Sequence, residues 1–194
     1  MQKLWQTASV ISNPYRRSLC ICMLSILYGT ALRRGELVRL DLSGWQLAER
    51  TLILDGHKTG LERKVVVPEL TAQCIESYLL ARHNHLEMLG IYDQDALLVN
   101  TRGQRASDQT VSGMISRVIK RAGIREKITL HQFRHTCASN LLASGSNLAE
   151  VQRILGHRHL STTTRYLHIT DPQKSEAVKH HPINTILGGH SCVK

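Results

Sequence analysis

Between Arg16-Arg17 and Arg33-Arg34 lies an apolar run, Ser18 to Leu32, that contains no charged residue. A helix that crosses a bilayer needs about 20 apolar residues, and this run is shorter. Leucine spacing also continues past it through Leu37 and Leu40, which a cleaved leader with an unrelated sequence behind it would not show. The run reads as a buried core helix, so neither export nor a membrane anchor is expected.

The rest of the composition agrees with a packed core. The chain has 194 residues, 42% of them hydrophobic and 21% charged, which suits one globular domain and excludes a disordered tail or a fibrous repeat. Its 25 Lys and Arg against 15 Asp and Glu give a net charge of +10. A surface that basic most often meets polyphosphate, so nucleic acid is the leading partner. The five cysteines, Cys20, Cys22, Cys74, Cys137 and Cys192, form no CxxC pair, and their odd number and scatter fit a reduced, intracellular setting.

Periodicity predicts the elements. A first amphipathic helix over residues 3–9 is followed by Asn13-Pro14, with Pro14 suited to a first helical position, and the apolar helix is expected to stop at Gly29. A short helix is expected over 34–40. At 51–68 the pattern changes to apolar Leu52-Ile53-Leu54, a polar turn over 55–60, and Lys64-Val65-Val66-Val67, which predicts two strands and their connection. Residues 96–99 are expected to add a third strand. Helical spacing returns over 69–89, with Leu70, Cys74, Ile75, Tyr78 and Leu79 on one stripe. Ser107 is placed to cap a helix over 108–122, with Val111, Ile115, Val118 and Ile119 inward and Arg117, Lys120 and Arg121 outward. Helices over 131–144 and 148–155, joined at Gly145, and a last short helix after Ser161 complete the chain. The fold class is α+β, mainly helical, with a small antiparallel three-stranded sheet.

Two stretches carry groups fit for chemistry. In His131-Gln132-Phe133-Arg134-His135, helical spacings of three and four put His131, Arg134 and His135 on one cationic face. His131 and His135 also have the spacing of a zinc helix, but Gln132 stands where a zinc protease needs its glutamate base, so no metal site is assigned. Downstream, Leu155-Gly156-His157 leads to Tyr166, nine positions after His157 in a basic surround. Tyrosine is a poor nucleophile at its ordinary pKa, and neighbouring cations with a base make the phenolate more accessible. Alone, Tyr166 would be read as a packing aromatic.

Together these stretches resemble the tyrosine recombinases, the phage integrase family. Thr30-Ala31-Leu32-Arg33-Arg34-Gly35-Glu36-Leu37 is similar to the family's first motif, with Arg33 at its catalytic arginine. Lys58, on the turn between the two strands, resembles the family's hairpin lysine, with Lys64 on the next strand as the alternative. His131 and Arg134 match the His-x-x-Arg pair, and His157 and Tyr166 complete the ordered set. Departures are small: Ala31 stands where Gly is commoner, Phe133 where Leu is usual, and Cys137 where an aromatic often sits.

The resemblance implies a site-specific DNA recombinase that cuts and rejoins strands through a 3′-phosphotyrosyl intermediate. Tyr166 would attack a DNA phosphate and Arg33 and Arg134 would neutralise the phosphorane. His131 would accept the phenol proton, His157 would donate a hydrogen bond to the phosphate, and Lys58 would protonate the departing 5′-hydroxyl. Neither metal, ATP nor any other cofactor is implied. The partners implied are double-stranded DNA and other recombinase subunits, with a cytoplasmic, DNA-associated location. Arg117, Lys120, Arg121 and Arg125 form a basic face read as phosphate-positioning. Residues 1–170 are expected to be the catalytic domain and 171–194 a partly mobile tail, with the family's N-terminal DNA-clamping domain absent. Two other functions compete: a non-catalytic DNA-binding regulator, which would have no use for the reactive set, and a type IB topoisomerase, which shares the tyrosyl chemistry.

Overall fold

The computed structural model describes residues 1–54, 63–126 and 128–143, and of His135, Leu142 and Ala143 the backbone alone. The order is α1 (Gln2–Ser9), α2 (Pro14–Thr30), α3 (Arg34–Leu37), β1 (Trp45–Gln46), β2 (Thr51–Leu54), β3 (Arg63–Val66), α4 (Glu69–Met88), α5 (Asp108–Arg121) and α6 (Leu130–Ala143). The predicted helices near 148–155 and after Ser161, and the tail, lie outside the described residues. Among the described residues no helix is long and apolar enough to cross a membrane.

The apolar run forms α2, around which the other helices assemble. Asn13 starts it by accepting the Arg16 N–H at 2.8 Å, with Pro14 at the first helical position. Every residue from Cys22 to Thr30 is buried, as the uncharged part of the helix after Arg17 requires. The helix packs most extensively on α4, then α6, and also meets α1, α5 and α3. At the α4 crossing a Cβ on Gly29 would overlap the Thr71 hydroxyl, so Gly29 serves close packing and is not the expected stop. The helix ends at Ala31, whose φ of 52° lies in the left-handed region. That conformation costs a non-glycine residue about 1–2 kcal/mol, which is a physical reason for glycine to be commoner there.

The three-stranded sheet is antiparallel with order β1-β2-β3, but its third strand is not the expected one. Trp45 pairs with Leu52 on one side of β2, and Thr51 and Leu54 pair with Val66 and Arg63 on the other. Residues 96–99 are fully buried yet form only isolated bridges. Their backbone is satisfied one group at a time: Leu97 N–H reaches the Leu40 carbonyl at 2.9 Å, Val99 N–H the Tyr78 hydroxyl at 3.0 Å, and the Leu98 carbonyl accepts from Ala106 at 2.8 Å. With partners scattered over loops and a side chain, no ladder forms.

The remaining helices follow their patterns. Cys74, Ile75 and Tyr78 of α4 are buried and Leu70 and Leu79 partly so. Ser107 caps α5 by accepting the Thr110 N–H at 3.1 Å; Val111, Ile115 and Val118 are buried, and Arg117, Lys120 and Arg121 are exposed. At the start of α6 the Gln132 side chain accepts the Thr129 N–H, and Phe133 enters the core. Asn140 donates to the Tyr28 hydroxyl at 2.6 Å, holding α6 against α2. The short helix predicted over 34–40 ends at Leu37.

Candidate active site

The left-handed turn at Ala31 redirects the chain so that Arg33 stands at the entrance to α3. Glu36, one turn on, folds back over the start of that helix. Its Oε2 accepts the Arg33 backbone N–H at 2.7 Å, and its Oε1 pairs with Arg33 Nη1 at 3.1 Å. A free N–H at a helix start is thereby satisfied and the Arg33 guanidinium is held by a charge-assisted bond.

Arg134 reaches the same place from α6, 101 positions later in the chain. It is 4% exposed, and its Nη1 donates to the Ala31 carbonyl at 2.7 Å. Arg33, Arg134 and His131 line one cleft of about 740 Å³, together with Arg34, Asp108 and Ser112. Arg34 Nε lies 3.1 Å from Asp108 Oδ1, tying α3 to the first turn of α5.

A further guanidinium joins the group from the sheet. Arg63, at the start of β3, is partly buried, and its Nη2 lies 3.5 Å from Glu36 Oε2. Burial holds Arg63 below its ordinary pKa; Glu36 opposes that shift and Arg33 adds to it. For Arg134 the downward shift is larger, to about 10: burial is the first cause, Arg33 the next, with Glu36 opposing and Arg63 adding to it. Cations crowded into one partly desolvated place are unfavourable alone and suit an incoming anion.

Of the residues singled out in the sequence, the structure therefore brings together Arg33, His131 and Arg134. Lys58, His157 and Tyr166 lie outside the described residues, as does the His135 side chain. Lys64, the alternative to Lys58, is carried away from the cluster: it alternates with Arg63 along β3 and pairs with Glu49 at 3.2 Å on an exposed face. Arg117, Lys120 and Arg121 sit on the solvent side of α5 and do not line the cleft, which takes Asp108, Ser112, Ile115 and Ser116 from that helix. Sequence reasoning missed Glu36 and Arg63. Glu36 carried a local signal, an acidic residue three positions after a helix-entry residue. Arg63 carried only its place next to the predicted strand at 64–67.

The sequence pattern of the phage integrase family matches residues 1–173. A tyrosine recombinase XerD of Shewanella oneidensis is 38% identical over 162 residues, covering 82% of this chain and 53% of that protein. The crystal structure of a XerA recombinase superposes with a TM-score of 0.69 at 29% identity, over 97% of this chain and 62% of that one. A XerH site-specific recombinase bound to its difH substrate, in a pre-cleavage complex, has the same fold: TM-score 0.68 at 22% identity, over 94% of this chain and 48% of that one. The chain spans about half the length of the curated relatives it matches. Because the family pattern runs from the first residue through every described element and past Tyr166, the chain belongs to the phage integrase family of tyrosine recombinases.

Proposed function

We propose that residues 1–170 form the catalytic domain of a site-specific DNA recombinase, which cuts and rejoins strands of double-stranded DNA through a 3′-phosphotyrosyl intermediate. One observation carries the reading: Arg33 and Arg134, 101 positions apart, converge with His131 on one cleft beside a buried backbone anchor. The basic excess of the chain suits the polyanion, and XerH, a protein of this fold, is seen with its difH substrate.

In this reading the Tyr166 oxygen bonds to a backbone phosphorus, and the bond from phosphorus to the 5′-oxygen breaks. His131 takes the phenol proton, and Lys58 supplies one to the departing 5′-oxygen. Arg33 and Arg134 face the non-bridging oxygens as negative charge builds there, and His157 adds a hydrogen bond. The energy of the broken bond is kept in the phosphotyrosyl link, so another strand's 5′-hydroxyl can reverse the step. Arg117, Lys120 and Arg121 hold neighbouring phosphates, and the segment after Tyr166 docks on another recombinase subunit. The protein works on DNA in the cytoplasm.

Trapping on a nicked duplex tests this reading, because the short 5′-hydroxyl fragment diffuses away and leaves the adduct. A covalent band on a denaturing gel is expected, with and without EDTA. A protein that binds DNA and never forms the band is a regulator, not a recombinase.

A further inference from the structure

The strand-cleavage reading puts a carboxylate in an awkward place. Glu36 touches Arg33 through both its backbone and its guanidinium, so its negative charge stands beside the oxygens on which negative charge develops. Unopposed, it would cancel Arg33, one of the two arginines assigned to the phosphate. The carboxylate is only 18% exposed at its side chain, and water screens it little.

Arg63 meets that carboxylate. Its Nη2 lies 3.5 Å from Glu36 Oε2, the oxygen that also takes the Arg33 N–H, so one carboxylate spans two guanidiniums from different elements. Its Nη1 is buried and finds no hydrogen-bond partner among the described residues. Strand geometry fixes this direction. Arg63 pairs with Leu54 as the last described rung of β2 and β3, and shares its face with buried Val65 while Lys64 points to solvent. With Arg34 offset by Asp108, the guanidiniums of Arg33, Arg63 and Arg134 and the Glu36 carboxylate leave the group at +2, the charge that balances a doubly negative phosphorane. Without Arg63 half of that remains.

The geometry points to Arg63 as a positioning residue of the strand-cleavage site: by pairing with Glu36 it offsets that carboxylate and holds it on Arg33, leaving the charges of Arg33 and Arg134 for the scissile phosphate. The assignment rests on the strand-cleavage reading above. It also ties the sheet to the arginine pair, since Arg63 is the first residue of β3. Lysine keeps the charge and loses the fork, whereas methionine keeps the apolar stem and loses the charge.

The test is the single-turnover rate of adduct formation on a nicked duplex for wild type, Arg63→Met and Arg63→Lys. Each is run with an ordinary scissile phosphate and with a methylphosphonate there, which lacks one negative charge. On the phosphate, Arg63→Met should be slower by about 10- to 100-fold, less than the ~10²–10³ typical of removing a donor that touches the transition state. Arg63→Lys should stay within about fivefold of wild type, because it keeps the charge. On the methylphosphonate the gap between wild type and Arg63→Met should shrink to about threefold, since less charge develops there. Equal losses on both substrates, or no loss on either, would overturn the assignment and leave Arg63 a hairpin residue. A wild-type protein that forms no adduct on either substrate overturns the strand-cleavage reading itself. Thermal unfolding of each variant shows that the rates come from folded protein, and Arg63→Lys provides a folded comparison if the methionine variant unfolds.

Discussion

Arg134 donates its Nη1 to the carbonyl of Ala31 at 2.7 Å, so the residue that ends α2 in a left-handed turn is also the anchor of a cleft guanidinium. Structure and chemistry meet in that bond. Arg134→Ala leaves a buried carbonyl without its donor and should cost about 1–3 kcal/mol of stability. The rate of adduct formation should fall by about 10²–10³, with duplex affinity changed far less. Urea unfolding, single-turnover cleavage and binding curves separate these. Loss of affinity equal to loss of rate would make Arg134 a backbone anchor for DNA.

Gly29 and Thr71 form a second such pair, between α2 and α4. A methyl group at position 29 would overlap the Thr71 hydroxyl, so Gly29→Ala should destabilise by about 1–3 kcal/mol. Thr71→Ala makes room, and the double variant should recover most of the loss. Additive losses in a double-mutant cycle would show that the helices do not meet there.

Stability should fall steeply in alkali. Burial raises Cys20, Cys137 and Tyr15 to about 12 each, and pushes Cys22 and Tyr78 upward as well. Unfolded thiols lose their protons near pH ~8.5 and phenols near ~10, so above those values the native state holds more protons and rising pH favours unfolding. Arg134, lowered to about 10, acts in the opposite sense above that pH, because the native state gives up its proton first. Arg63 is lowered too and burial also raises Tyr28, so among the described residues two groups stand against six. Urea midpoints at pH 8, 9.5 and 10.5 should decline, with a flatter decline in Cys20→Ala; an unchanged slope in that variant removes its thiol from the account.

The elements that depend on local pattern were legible in the sequence. Ser107 and Asn13 are caps with side chains made for the task, and α4 and α5 carry continuous stripes. What the sequence could not show depends on partners brought from elsewhere. Trp45–Gln46 is a strand of two residues with no alternation to detect, recognisable only by its pairing with Leu52 and Thr51. Residues 96–99 have a strand's apolarity because they are buried, and lack a ladder because their partners are loops and the Tyr78 side chain. Gly29 looked like a stop because glycine often is one, while the left-handed turn falls on Ala31. The pairing of Arg33 with Arg134 followed from the order of motifs, whereas Arg63 is visible only once β3 is placed against α3.

Arg117, exposed on α5 and outside the cleft, should behave unlike the cleft arginines. Arg117→Ala should weaken duplex binding uniformly across sequences and flatten the slope of log affinity against log salt by about 0.9, one phosphate contact. Cleavage of saturated complexes should not change. Anisotropy titrations at four salt concentrations decide it, and an unaltered slope makes Arg117 an ordinary solvated charge.

In the proposed function Tyr166 forms the covalent link to DNA. The most direct measurement traps the protein on a nicked duplex labelled at the 5′ end of the cut strand, for wild type and Tyr166→Phe. Label should follow the wild-type protein on a denaturing gel, as a 3′-phosphotyrosyl bond requires. It should be absent from Tyr166→Phe, whose binding is nearly unchanged. Undiminished adduct in Tyr166→Phe would contradict the account, as would label that follows the protein only when placed at the strand's 3′ end.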